Sequence, residues 1–425
     1  MPVSLLSVDG DRITVSVEVT LGGGMLACEE RIQAAVNDAG RVITEQALKR
    51  FDTDGRTMVL GGENWTSKGQ EPKAYQTPYG EVSVGRHVYQ SSAGGKTYCP
   101  LDRSARIVVT STPKFAQQVG WKFAQGSSVM VQRDLAENHG RAVSRSYVQG
   151  VAEAVSAVAQ AKEEDWHYAT PTLAAAVASV AIGLDGTGLL LCEDGYRQAM
   201  VGTVSLYDHQ GERLHTLYVG ASPEYGKATF LARLEREIQH IQALYPAARY
   251  VGVADGAAEN WRFLAPYVSE QIIDFYHATG YIAAAAQAAF PRHQARRQAW
   301  LAQRCHALKH TPGAAGQLLE EMEALADKPL SKAIGEKLAA AITYFRNHQH
   351  QMNYADYQAQ GWPLGSGVTE AACKTLVKQR LCQSGMKWKD QGARIVLSLR
   401  ALVLTEGRWG QFWAKISQYG LPLFA

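Results

Sequence analysis

Three carboxylates in this 425-residue chain, Asp185, Asp255 and Glu370, occupy positions where an acid needs an explanation. Asp185 interrupts the apolar run ASVAIGLDGTGLLL, where an unpaired buried charge is costly. Asp255 ends the equally apolar segment YVGVAD. Glu370 opens the helical pattern GSGVTEAACKTLVKQRLCQSGMKW, whose next charges, Lys374, Lys378, Arg380 and Lys387, are all basic. Phosphodiester hydrolysis or transfer uses two divalent ions roughly 3.5–4 Å apart that clamp the attacking and leaving oxygens. Ions of the magnesium type take carboxylates and leave their other positions to water and phosphate. Three acids on three separate elements suit such a site, with two Mg²⁺ or Mn²⁺ ions as cofactors. Each acid also has a plainer reading. Asp-Gly at 185 and 255 is a turn signal, and an acid in a helix's first turn offsets the dipole there.

The elements that must position these acids are legible between 178 and 278. ASVAIGLDGTGLLL, YRQAMVGTVSLYD and ERLHTLYVGA read as three strands joined by turn residues, in an antiparallel meander. In KATFLARLEREIQHIQALYP the apolar residues Phe230, Leu231, Leu234, Ile238, Ile241 and Leu244 recur at helical spacing, with Pro246 just beyond. The continuously apolar RYVGVADGA predicts a strand buried on both faces. A short helix around Trp261–Tyr267 and a fifth strand, QIIDFYHA, follow. Three strands, helix, strand, helix, strand is the order of the ribonuclease H fold. In that order the first and fourth strands are neighbours, so Asp185 and Asp255 converge at the carboxyl edge, where open α/β sheets place ligands.

The predicted fold class is therefore α/β. A ribonuclease H-like catalytic domain (171–279 and 363–405) carries an all-helical, Ala-rich insertion (280–362). A mixed α/β region (1–110) and a helical, helix-turn-helix-like segment (111–170) come before it, and a short tail (406–425) ends the chain. In the first region DRITVSVEVT and GEVSVGRHVYQ alternate like strands and CEERIQAAVNDAGRVITEQALKRF is helical. The Gly/Ser/Asn-rich stretches 61–71 and 91–97 read as loops. In DLAENHGRAVSRSYVQGVAEAVSAVAQA a turn separates two helices, Ser144 is the expected N-cap, and Val148, Val151, Val155 and Val158 form one face. Arg141 and Arg145 stand at the start of the second helix, where a helix-turn-helix protein meets DNA. Ordinary helix packing accounts for the same pattern.

Bulk composition narrows the partners. The net charge of +3 is uninformative, but from Glu370 onward nine basic residues face three acids, which suits an anionic polymer. Two tryptophans sit among cations. Trp300 has Arg296, Arg297 and Arg304 nearby, and Trp388 lies between Lys387 and Lys389; each suits stacking on an unpaired base or core packing. The six cysteines form no CxxC pair, and the first residues lack a signal-peptide pattern. The longest apolar run, LAAAVASVAIGL, ends at Asp185. These features predict a cytoplasmic location, associated with the nucleoid when bound to DNA. His306 and His310 have metal-ligand spacing beside Cys305, with no further ligand evident, so zinc is not expected.

The segments VGTVSLYD, SPEYGKATFLARLE, YVGVADGAAENW, DFYHA and GSGVTEAACKTLVKQRLCQSGMKW, with GARIVLSLRAL, are also similar to the transposases of bacterial insertion sequences. The resemblance is to the Kra-type family in particular; it covers about residues 75–405 and is strongest from 180 to 400. It implies an Asp-Asp-Glu triad at Asp185, Asp255 and Glu370, and a D-x-x-H signature at Asp274 and His277 that supports the site. It also implies double-stranded DNA partners, the element ends and the target, and a homodimer or higher oligomer on DNA. Many relatives carry N-terminal cysteine pairs near a Pro-Leu-Asp segment, whereas YCPLD here keeps only Cys99. Another ribonuclease H-like nuclease, of the junction-resolvase type, fits the same acids. An actin-like ATPase or sugar kinase matches AIGLDGTG but needs a second phosphate loop and a Gly-rich adenosine motif; ADGAAENW fits poorly as the one, and the other is not found.

Overall fold

The computed structural model describes residues 3–421 other than Lys96 and Glu164. The last four residues, part of the expected tail, lie outside them. The chain forms a mixed α/β protein divided into two compact units.

The first unit comprises Met1–Ala169, Ser398–Val403 and Arg408–Ala425. A two-stranded hairpin, β1 (Val3–Asp9) and β2 (Arg12–Val17), precedes the 25-residue helix α1 (Met25–Lys49). An antiparallel sheet follows in the order β3 (Met58–Leu60), β4 (Glu63–Thr77), β5 (Gly80–Ser91), β6 (Thr97–Tyr98). Residues 61–71, read from composition as a loop, are mostly the outer half of β4. Glu63–Trp65 pair with β3, and Trp65–Ser67, Gln70 and Glu71 with β5 across a register break, which offsets the weak strand propensity of Asn and Ser. The short helix α2 (Pro100–Ser104) sets Leu101 into a core with Leu48, Tyr75, Val82 and Val84. Three helices complete the run: α3 (Pro113–Gln125), α4 (Ser128–His139) and α5 (Arg145–Ala161). Ser144 caps α5 by accepting from the Tyr147 amide, and Val148, Val151, Val155 and Val158 are all buried. The segment expected to be a tail is instead a helix, α16 (Arg408–Tyr419), whose Phe412 packs on Trp166 within this unit.

The second unit, Thr170–Leu397 with Leu404–Gly407, holds the site. Its sheet has the order β11-β10-β7-β8-β9. β7 (Ser179–Leu191), β8 (Gly195–Tyr207) and β9 (Arg213–Ala221) form an antiparallel meander, while β10 (Arg249–Ala254) lies parallel to both β7 and β11 (Glu270–Ile273). The period of two sorts β7 by face. On one face Leu184 and its β8 partner Gly202 turn toward helix α6 (Ala228–Leu244), whose Phe230 and Leu234 lie over Gly202. On the other face Gly183 meets Thr369, and Asp185 follows two residues later on that face. Helix α7 (Ala258–Leu264) links β10 to β11. The fifth strand is shorter than expected. It stops at Ile273, because Asp274 turns the chain by capping helix α8 (Phe275–Ala289).

The residues expected as an insertion form α9 (Gln294–His310), α10 (Ala314–Ala326), α11 (Lys332–His348) and α12 (Tyr354–Ala359). They share one hydrophobic core with the sheet, since Leu308, Met322 and Phe345 cluster with Ile272, Ile273 and Phe275. The chain then returns as α13 (Gly367–Ala372), a π-helical stretch Cys373–Lys378, α14 (Gln379–Leu381) and α15 (Asp390–Leu404). No helix among the described residues is long and apolar enough to cross a membrane.

Candidate active site

Asp185, Asp255 and Glu370 line one cleft of about 760 Å³ at the carboxyl edge of β7 and β10. Asp185 comes from β7, Asp255 from the residue after β10, and Glu370 from the first turn of α13. His277, Ser366, Cys373, Lys374 and Lys378 line the same space. Asp185 is half-buried, whereas Asp255 and Glu370 are exposed.

Each acid is held by short-range bonds. Asp185 accepts from its own Gly186 amide at 2.6 Å, and the Cys373 thiol donates to its Oδ2 at 3.7 Å. Burial first, then the Asp185 charge and this hydrogen bond, push the Cys373 thiol up to about 12, so it stays a neutral donor. Asp255 accepts from the Ala257 amide at 3.2 Å, while its main-chain carbonyl accepts from the Tyr344 phenol at 3.1 Å. Burial, aided by Tyr281, Asp255 and Asp274, raises the Tyr344 pKa far above its ordinary value, and the ring stacks on Tyr281 at 3.9 Å. The Ser366 hydroxyl lies 3.0 Å from a Glu370 carboxylate oxygen. Thr369, beside it, shares a hydrogen bond with Thr203 at 2.8 Å and so pins α13 to β8.

Asp274 and His277 sit where the D-x-x-H reading expects them, with unequal tasks. Asp274 is 1% exposed and accepts from the His277 amide at 2.6 Å, the Ser366 hydroxyl at 2.8 Å and the Ser366 amide. It therefore joins the start of α8 to the loop that delivers Glu370. The Ser366 hydroxyl carries one proton and lies within reach of both Asp274 and Glu370, so it couples the buried acid to the exposed one. His277 instead lines the cleft, its ring 6.1 Å from that of Tyr281 and 6.3 Å from that of Tyr344.

The chain after Glu370 runs through a π-helical stretch, Cys373–Lys378. Its i→i+5 hydrogen bonds wind the chain more loosely than an α-helix. Lys374 and Lys378 follow Glu370 at successive four-residue steps, share the cleft with it, and both are exposed.

Four residues expected at a nucleic-acid surface are placed otherwise. Arg141 is buried; its Nε donates to the Thr77 carbonyl at 3.0 Å and its guanidinium bonds Gln76, so it holds the β4–β5 turn. Arg380 is 2% exposed and lies over the Trp388 ring at 5.3 Å. Trp388 itself extends the sheet: its amide donates to the Leu190 carbonyl, its carbonyl accepts from Cys192, and its indole donates to Leu381. Trp300 packs on the core under the Arg304 guanidinium, which Glu321 holds at 2.7 Å. Arg145 remains exposed, with its Nε donating to Ser128. Sequence reasoning missed Ser366 and Cys373, although both lie within one helical turn of Glu370 (i−4 and i+3). That spacing was the available signal.

Among the described residues no three His, Cys, Asp or Glu side chains are grouped closely enough to hold one ion. The donor set still has the chemistry a hard divalent ion takes, since three carboxylates face one cleft with cations behind them. No protein-family model and no curated protein matches the chain.

Proposed function

We propose that the protein is a DNA transposase with a ribonuclease H-like catalytic domain, which cleaves DNA at the ends of its element and joins them to a target. One observation carries this reading: three carboxylates from β7, the end of β10 and α13 open onto one cleft with Lys374 and Lys378. The strand order β11-β10-β7-β8-β9, with β10 parallel to β7, supports the fold assignment.

Asp185, Asp255 and Glu370 would hold the divalent ions, which supply Lewis acidity toward the phosphoryl group and offset its charge. The chain's own residues do the rest. Lys374 and Lys378, in the same cleft, offer cations to the DNA phosphates. Cys373 orients the Asp185 carboxylate, and the Asp274–Ser366 pair orients Glu370. With two DNA ends to bring together, the protein acts as a dimer or larger assembly on DNA.

The test is strand cleavage and joining on the DNA that flanks its gene, with Mg²⁺ or Mn²⁺ and without either. Asp185→Asn, Asp255→Asn and Glu370→Gln are each expected to abolish both steps while the protein stays folded. Wild-type activity in all three variants would refute the assignment.

A further inference from the structure

Apolar surface is left bare mainly in one part of the first unit. Of the 23 large apolar side chains exposed among the described residues, eleven lie between Leu5 and Phe51, in the β1–β2 hairpin, in α1 and beside them. Only Ala35 and Leu48 of the 25 residues of α1 are buried. At about 100° per residue, Met25, Ile32, Val36 and Ile43 fall within about 20° of one line along the helix. They are 69%, 42%, 53% and 37% exposed. At about 1.5 Å per residue the line runs for about 27 Å.

The flanks of α1 hold it to its own unit and leave this line outward. Gly40, about 60° to one side, takes the Tyr79 ring, which an added Cβ would meet at 2.3 Å. Ala35 is buried about 80° to the other side. With Ala39, the residues from Ile32 to Ile43 step by 4, 3 and 4, the spacing of a seam between two helices and narrower than the stripe of a core-facing helix. Within about 60° of the line α1 bears one charge, Glu29, while Cys28, Gly40, Gln46 and Ala47 are uncharged.

The spacing names the partner. Met25, Ile32, Val36 and Ile43 are separated by 7, 4 and 7 residues, a series that reads the same in both directions. An antiparallel second α1 therefore sets Met25 against Ile43 and Ile32 against Val36 twice over, the self-complementary contact of a two-fold interface. Opposed helix dipoles favour the same arrangement. We propose that the protein dimerises through α1, packed antiparallel on α1 of a second copy. The hairpin lies against α1 and exposes Leu5, Leu6, Val8 and Val17. With these, Leu21 and Leu26, the free apolar surface equals about five wholly exposed aliphatic residues, on the order of 900 Å², where a standard interface takes about 800 Å² from each partner. A two-stranded sheet is marginal by itself in water, so the hairpin too is stabilised by cover. The proposal goes beyond the DNA reading, because it requires no nucleic acid, and it gives the assembly invoked above a surface.

The experiment reads mass in solution by sedimentation velocity, on the full chain without DNA at micromolar concentration. The wild type is expected at twice the chain mass of 46.4 kDa. Ile32→Glu and Val36→Lys should each fall to the single mass, because each would bury a charge against an apolar residue of the partner. Met130→Glu, at an exposed position on α4 outside this segment, should keep the double mass. Mixing the Ile32→Glu and Val36→Lys proteins should restore the double mass. The antiparallel register faces the new acid with the new base and leaves Val36 against Ile32 at the other crossing, whereas a parallel pair would face each position with itself. A wild type at the single mass would hand the seam to a different partner and overturn the proposal. Charged variants that keep the double mass would overturn it by placing association elsewhere, and a mixture that stays at the single mass would exclude this register. None of these results depends on strand cleavage, so the nuclease reading stands or falls separately.

Discussion

Replacing Gly183 by alanine tests how Glu370 is positioned, without touching an acid. Gly183 stands on β7 two residues before Asp185, and a Cβ built there lies 2.2 Å from Thr369 Oγ1 and 3.3 Å from Thr203 Oγ1. Ordinary contact begins at 3.4 Å, so α13 must retreat by about 1 Å or the Thr369 side chain must rotate. Rotation breaks the buried Thr203–Thr369 hydrogen bond, which costs about 1 kcal/mol and leaves a buried hydroxyl unpaired. Retreat strains a packed interface by about 1–3 kcal/mol. Either way the protein should lose about 1–3 kcal/mol in urea unfolding. The functional effect should be larger, because Glu370 adjoins Thr369 and a misplacement of about 1 Å at a catalytic group costs on the order of a hundredfold in rate. The assay is divalent-ion-dependent strand cleavage, with Glu370→Gln as the floor. Gly183→Ala combined with Thr369→Ala removes the 2.2 Å clash and should recover to the rate of Thr369→Ala alone, which carries the loss of the Thr203 bond, a coupling that a double-mutant cycle isolates. Full cleavage by Gly183→Ala alone, or no recovery in the double variant, would refute the claim that this contact sets the position of Glu370.

Two further outcomes follow from buried groups beside the site. Asp274→Asn puts an amide among the three donors that now converge on a carboxylate, and should destabilise the protein by about 2–4 kcal/mol in urea; an unchanged unfolding midpoint would contradict its role as the tie between α8 and the Glu370 loop. Cys373, with its pKa raised from 9.0 to about 12, should resist iodoacetamide in the native state while exposed Cys192 reacts, as peptide mass spectrometry would read. The neutral thiol is the form the fold keeps, so its contribution is fully present below pH 9.0 and is lost as pH rises toward about 12. Cys373→Ala should flatten that part of the stability–pH curve, and an identical curve would exclude the thiol as its source.

Much of the second unit was legible because its sequence states its own periods. Continuous apolar runs marked β7 and β10, helical spacing marked α6, and each closed on a Gly or Pro signal. The neighbouring positions of β7 and β10, expected from element order, appear as a parallel pairing. Misreadings arose where local composition opposed tertiary pairing. The stretch 61–71 looks like a loop because its residues are poor strand formers; Gly61 and Gly62 do turn, yet Glu63–Glu71 is strand because β3 and β5 pair with it on either side of a register break. Asp274 read as part of a strand because QIIDFYHA is apolar, and only its three donors, two of them from Ser366, reveal a helix cap.

The sequence by itself determined the strongly periodic strands and helices of the second unit and which acids they carry, since side-chain periodicity is a property of neighbouring residues. Only the tertiary structure decided which cations and rings remain free for a ligand. Arg141 and Arg380 are as basic as Lys374 and Lys378, but Arg141 is tied to Thr77, 64 residues away, and Arg380 lies buried against Trp388. Trp300 packs half-buried against the core, whereas Tyr196, Tyr225 and Tyr276 are exposed. A buried polar or aromatic side chain is satisfied by whatever the fold brings to it from afar, and no local pattern records that partner.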